Sequence, residues 1–137
     1  MNKLRLILGD QLNINHSWFK ENNSKITYVM MEVKEETSYV LHHAQKIIAT
    51  FAAMRFFAEQ LQQKGFEVIY FKINDKQNKQ SFYQNINKTI KEKNIGELQY
   101  LEPDEYRLST ELKKLESIEN IKVESVDTEH FLVPKLY

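Results

Sequence analysis

Short runs of aliphatic and aromatic residues alternate along this chain with stretches of helical period, and that alternation restricts the fold more than any other feature. Leu4-Arg5-Leu6-Ile7-Leu8 is too short to propagate as a helix and stops at the turn signal Gly9-Asp10, which predicts a first strand. Ile26 to Met31, rich in β-branched and aromatic residues and preceded by the polar cluster Glu21 to Lys25, predicts a second. Between them, His16 to Lys20 allows at most a short helix. From Leu41 to Gln63 there is neither Gly nor Pro, and Ile47, Phe51, Met54, Ala58 and Leu61 recur at spacings of four and three, so the longest helix lies here. Ser38 is its start signal, and Gly65 supplies the left-handed residue that commonly follows a helix end. Phe66 to Phe71 predicts a third strand, and Lys79 to Lys93 a second helix carrying Phe82, Ile86 and Ile90 on one face. Leu98 to Leu101 follows as a fourth strand closed by Glu102-Pro103-Asp104, then a helical Ser109 to Ile118 and a fifth strand, Ile121 to Val126. Asn74 to Gln80 is a polar loop, and Asp127 to Tyr137 has no resolved period.

Strands joined by helical connections of this length pair in parallel, because a parallel pair needs a crossover, and the crossover is right-handed in nearly all cases. The expectation is an α/β, Rossmann-like fold: an open, mostly parallel five-stranded sheet, helices on both faces, in the order 3-2-1-4-5. At 137 residues the chain suits a single domain spanning 1–137. Hydrophobic residues at 42% and charged residues at 28% are enough for a buried core. The 19 Lys+Arg and 19 Asp+Glu cancel, so the chain lacks the basic excess that drives nucleic-acid binding by counterion release. With no cysteine, disulfides, thiolate nucleophiles, Cys-ligated zinc and iron–sulfur clusters are excluded within these residues. No stretch reaches the roughly 18 apolar residues that span a bilayer, and Met1 to Leu8 has no cleavage signal, so no membrane and a cytoplasmic location are expected.

In an open doubly wound sheet, ligands sit outside the carboxyl ends of the strands, where the strand order reverses. In the order 3-2-1-4-5 the first and fourth strands flank the reversal, so Gly9-Asp10-Gln11-Leu12 faces Glu102-Pro103-Asp104-Glu105-Tyr106, with Met31-Glu32-Val33 alongside. Gly9 allows close backbone approach, and Asp10, Gln11 and Glu32 suit the hydrogen-bonding edge of a flat heterocycle. Asp10 and Glu32 suit strand-end solvation or helix capping equally well. The rim is acidic, and neither G-x-G-x-x-G nor a P-loop follows the first strand, which argues against a dinucleotide or a triphosphate.

Neither metal nor covalent catalysis has a sequence basis. His42 and His43 are adjacent, so on a helix they diverge by about 100° and cannot grip one ion at i, i+4. His16 and His130 are isolated, and no nucleophile elbow is present. The long helix is the anomaly. Ile48 and Ala52 widen its apolar stripe, while Phe56 lies on roughly the opposite side beside Ala49 and Ala53. Exposing a Phe forfeits on the order of 1.5–3 kcal/mol of burial, so this face is expected to meet a second domain, a second copy of the chain or the tail Phe131-Leu132-Val133. Arg55, near the apolar arc, needs a carboxylate partner or an escape to water.

The ordered blocks Leu6-Ile7-Leu8-Gly9-Asp10-Gln11-Leu12, Glu35 to Lys46, Ala53 to Glu59, Gly65 to Val68, Glu102 to Arg107 and Phe131-Leu132 resemble the amino-terminal domain of the deoxyribodipyrimidine photolyase-related proteins, the bacterial iron–sulfur cryptochromes and (6-4) photolyases. The resemblance runs over nearly the whole chain. It implies a flavoprotein that repairs DNA photoproducts in the light or senses blue light, with FAD and a 4Fe–4S cluster in a carboxyl-terminal region absent from these residues. That region would be the partner of this domain, damaged DNA would be met only through the full-length protein, and the domain alone would have no catalytic residue. What the resemblance implies for the α/β domain is an antenna chromophore, 6,7-dimethyl-8-ribityllumazine. Gly9, Asp10, Gln11, Met31, Glu32, Val33, Glu36, Lys46, Thr50 and Asp104 are the candidates to surround it, Asp10 and Glu36 as hydrogen-bond acceptors. The rival expectation is a stand-alone α/β interaction or nucleotide-binding module.

Overall fold

In a computed structural model, which describes residues 2–9, 11–20, 24–33, 44–101 (44–47 by backbone only), 112–118 and 121–126, the strands pair side by side in parallel throughout. They are β1 (Asn2–Leu6), β2 (Ile26–Met31), β3 (Glu67–Phe71), β4 (Ile95–Leu101) and β5 (Lys122–Val126), and their order is β3-β2-β1-β4-β5. The expected open α/β fold is therefore present, with the reversal between β1 and β4. Helix α1 (Ala44–Gln63) connects β2 to β3, and helix α2 (Phe82–Lys93) connects β3 to β4. Because the chain steps outward from β1 to β3 and then returns past β1 to β4, right-handed crossovers put the two helices on opposite faces.

Strand alternation divides the core accordingly. Leu4, Leu6 and Leu8 join Val29, Met31, Val33, Leu98 and Tyr100 beneath Phe82, Ile86 and Ile90 of α2. The opposite face presents Ile7, Tyr28 and Met30 to Met54, Phe57, Ala58 and Leu61 of α1. The link from β1 to β2 contains a 3-10 turn, Ser17–Phe19, capped by His16, whose Nδ1 accepts the Trp18 N–H at 3.0 Å. This turn drives Trp18 and Phe19 against Tyr28, and Phe19 also meets Phe57 and Phe66 edge-on. Arg5 lies over the Trp18 ring at 4.8 Å and donates to Tyr28 Oη at 3.0 Å. Burial pushes the Tyr28 hydroxyl above its ordinary pKa, although Arg5 pulls the other way.

The element boundaries differ from the sequence expectation in instructive places. β1 begins two residues before Leu4, because Asn2 and Lys3 pair with β4 and β2 despite being polar. β4 likewise starts at Ile95 and runs through Gly96 and Glu97, with a register shift between Asn2 and Lys3 accommodating the longer strand. Glu97 then bridges Lys3 at 3.4 Å and Lys122 at 4.0 Å. α2 starts at Phe82 rather than Lys79: Ser81 caps it by accepting the Gln84 N–H, and Gln80 sits at φ 61°, outside helical space. α1 closes as expected on Gly65, at φ 92°, with Phe66 N–H donating to Leu61 C=O and Gly65 N–H to Gln62 C=O, a Schellman arrangement. Residues 114–117 form a 3-10 turn, for which the spacing of three between buried Leu112, Leu115 and Ile118 is the fitting period. Ile48 and Ala52 do not widen the buried arc. It broadens instead through Phe57, leaving Ile48 68% and Phe56 61% exposed. Ser38, His42, His43 and the tail 131–133 lie outside the described residues.

Candidate functional site at the carboxyl ends of the strands

Gly9 forms the turn that ends the β1 segment, and Gln11 follows it, buried. Gln11 Oε1 accepts the Leu8 N–H at 3.1 Å, and its Nε2 donates to the Leu101 carbonyl at 3.0 Å. Its amide thus staples the end of β1 to the end of β4 across the point where the order reverses. The strands expected to flank the reversal do lie side by side, and Gln11 ties their ends together. Its partner segment 102–106, with Asp104, lies outside the described residues, as do Asp10 and Glu36.

β2 delivers the next three candidates with alternating direction. Met31 and Val33 are buried in the layer beneath α2, where Met31 Sδ accepts from Asn85 Nδ2 at 3.4 Å. Glu32 points to the α1 side and is fully buried. Its Oε2 accepts Arg55 Nε at 2.7 Å and the Tyr70 hydroxyl at 2.5 Å; its Oε1 accepts Arg55 Nη2 at 2.7 Å and the Ile73 N–H at 3.0 Å. Four donors fill the acceptor directions of one carboxylate. Arg55 has found the carboxylate partner its position demands, and Glu32 ties the end of β2 to α1, Tyr70 and the Ile73 amide instead of presenting an open acceptor.

The electrostatics follow from those contacts. Burial pushes the Glu32 carboxyl upward, but hydrogen bonds from Arg55, Tyr70 and the Ile73 amide, with the guanidinium charge, outweigh it and hold the group below its ordinary value. Tyr70 moves upward, through burial and then its hydrogen bond to Glu32. Arg55 also moves upward, chiefly through the Glu32 bond. Near neutral pH Glu32 is locked ionised and Tyr70 locked protonated, so neither is suited to proton transfer.

Sequence reading marked the polar loop between β3 and α2 but gave it no part in the site. Its Asn78 donates to the Glu32 carbonyl at 2.7 Å and to the Lys72 carbonyl at 3.0 Å, while Asn78 Oδ1 accepts from Asn85 Nδ2 at 3.0 Å. Asn85 Oδ1 accepts the Lys79 N–H, and Gln80 Nε2 donates to the Ile73 carbonyl, both at 2.8 Å. This stretch is a pinned wall beside the end of β2. The one available signal was Asn85, a polar residue one position before Ile86 on the buried stripe of α2. Thr50, half-buried, stands on the first half of α1, and Lys46 one turn before it has its backbone in that helix. Gly9, Gln11, Met31, Glu32 and Val33 thus lie at or just beyond the ends of β1 and β2, Gln11, Met31, Glu32 and Val33 buried there, while Thr50 is half-buried on α1. Any polar edge for a ligand would come from Thr50, backbone groups, or Asp10, Glu36, Lys46 and Asp104.

Among the described residues no helix is long and apolar enough to cross a membrane, and no group of three or more His, Cys, Asp or Glu is placed to hold a metal ion.

Comparison with known proteins bears on the whole chain. It is 36% identical over 133 residues to a (6-4) photolyase of Agrobacterium fabrum (strain C58 / ATCC 33970), covering 96% of this chain and 26% of that protein. The chain therefore spans about a quarter of the length of this relative. Among solved structures, hypothetical protein MJ0577 superposes with a TM-score of 0.49 at 13% identity, over 93% of this chain and 96% of that one. Residues 5–136 match the family described as deoxyribodipyrimidine photo-lyase-related proteins. By that match and by its identity to the curated relative, this chain belongs to the photolyase-related family.

Proposed function

We propose that this chain is the pigment-holding α/β domain of a photolyase-related flavoprotein, acting in light-dependent repair of DNA photoproducts or in blue-light sensing. It would bind 6,7-dimethyl-8-ribityllumazine at the carboxyl ends of β1, β2 and β4 and have no activity alone. Family membership over residues 5–136 carries the reading. The topology supports it independently, since the reversal between β1 and β4 is where an open parallel sheet takes its ligands.

The residues at hand suit such a group in two respects. A planar heterocycle needs rigid walls, and Gln11, Glu32, Asn78 and Asn85 are cross-linked into them. It also needs donors and acceptors at its pyrimidinedione edge and ribityl chain, for which Asp10, Glu36, Lys46, Thr50 and Asp104 have the right chemistry. When bound, the pigment would supply blue-light absorption; the protein holds and orients it. FAD and a 4Fe–4S cluster would belong to the part of the protein outside these residues.

The test is titration of purified chain with the lumazine, followed by absorption and fluorescence anisotropy. Saturable binding that weakens on Asp10→Asn or Glu36→Gln is expected. Absence of saturable binding, here and in the full-length protein, would sink the proposal.

A further inference from the structure

The first half of α1 carries Lys46 and Thr50, yet its described side chains give it little hold on the sheet. Ile48, Ala49, Ala52 and Ala53 are exposed, and Thr50 and Phe51 are half-buried. Complete burial begins only at Met54, followed by Phe57, Ala58 and Leu61. Arg55 stands at that boundary, and among the described residues its bond to Glu32 is a directional contact there. Apolar packing tolerates a helix that rolls or slides a little, because it is non-directional. A guanidinium fork on a carboxylate does not, since two bonds of 2.7 Å fix distance and orientation together. Glu32 is itself fixed by Tyr70, by the Ile73 amide and, through its carbonyl, by Asn78.

The geometry points to Glu32, Arg55 and Tyr70 as positioning residues for the pigment site, setting the pose of the half-helix that carries Lys46 and Thr50 rather than pairing with the ligand's polar edge. This inference rests on the pigment reading above. Thr50 precedes Arg55 by five residues, about 7.5 Å along the axis at 1.5 Å per residue, so a small rotation at Arg55 reaches it as a displacement.

The experiment titrates 6,7-dimethyl-8-ribityllumazine into the wild-type chain, Arg55→Lys and Tyr70→Phe, with hydrogen exchange of amides 48–53 and thermal unfolding measured on the same samples. Arg55→Lys keeps the charge and loses the fork; Tyr70→Phe removes one hydroxyl and keeps the ring. Arg55→Lys is expected to bind about tenfold more weakly, with lower anisotropy of the bound pigment and faster exchange at 48–53. Tyr70→Phe should fall between it and wild type. Wild-type binding that both variants match in affinity and anisotropy overturns the positioning role while leaving the pigment reading intact, even if their melting temperatures drop. A wild-type chain that binds no lumazine overturns both.

Discussion

Glu32 shows how one side chain is committed by its surroundings. A buried carboxylate is costly unless every lone pair is engaged, and here Arg55, Tyr70 and the Ile73 amide engage them. Glu32→Gln keeps the shape and removes the charge that Arg55 faces, so it should lower unfolding free energy at pH 7 by about 1–3 kcal/mol, read from the urea midpoint. The sign of its pH dependence follows from its depressed folded-state value. A depressed carboxyl contributes stability that is fully present above its unfolded value, 4.5, and is lost as pH falls through that value toward the folded one. The gap between wild type and Glu32→Gln should therefore be constant from pH 7 to about 6 and shrink toward pH 3. A gap that widens on acidification would contradict the assignment. Asn85, buried on α2 and bonded to Asn78, Met31 and the Lys79 amide, yields a second prediction. Asn85→Ala should cost about 1–3 kcal/mol, with the Lys79 amide exchanging faster. Residue order signalled that Arg55 needs a carboxylate and that Asn85 lies beside an apolar stripe, but not which residues answer them. Glu32 and Arg55 are 23 positions apart, and the β2-α1-β3 crossover brings them together.

Periodicity made the elements readable, and it failed wherever an edge is decided by pairing instead of hydrophobicity. The long Gly-free run gave α1, and Gly65 marked its end at the left-handed conformation its position requires. Lys3, Glu97 and Gly96 could not be recognised as strand residues, because their place is set by neighbouring strands and ion pairs. On α1 the period correctly separated Phe56 from the buried arc but assigned Ile48 and Ala52 to the wrong side. These three stand four apart and form one exposed apolar line. Since Phe56 has little burial to lose, Phe56→Lys should change stability by less than about 0.5 kcal/mol. It should also reduce concentration-dependent association in sedimentation velocity. A destabilised variant with unchanged association would show that the ring is covered, and a wild-type chain that stays monomeric at high concentration would show that the face does not self-associate.

For the molecule as a whole, the alternation made a parallel open sheet legible, and the order 3-2-1-4-5 expected for it is the order found; an open sheet of this order takes ligands at its reversal. What the alternation does not specify is which ligand. The absence of a glycine-rich phosphate loop after β1 argues against a dinucleotide or a triphosphate, and the proposed lumazine carries no phosphate. Mass action turns the choice into a measurement on the intact chain. A ligand that binds only the folded state at a hundredfold its dissociation constant adds about 2.7 kcal/mol to stability. For a domain of this size that corresponds to a rise in melting temperature of roughly 8–12 °C. The lumazine should produce such a rise, growing with the logarithm of its concentration, whereas ATP at equal concentration should leave the transition in place. A shift with ATP and none with the lumazine would transfer the crevice to the rival nucleotide-binding reading. The two outcomes differ because, in the proposed site, the carboxylates of Asp10 and Glu36 would repel a triphosphate, while a neutral ring system can use them as hydrogen-bond acceptors.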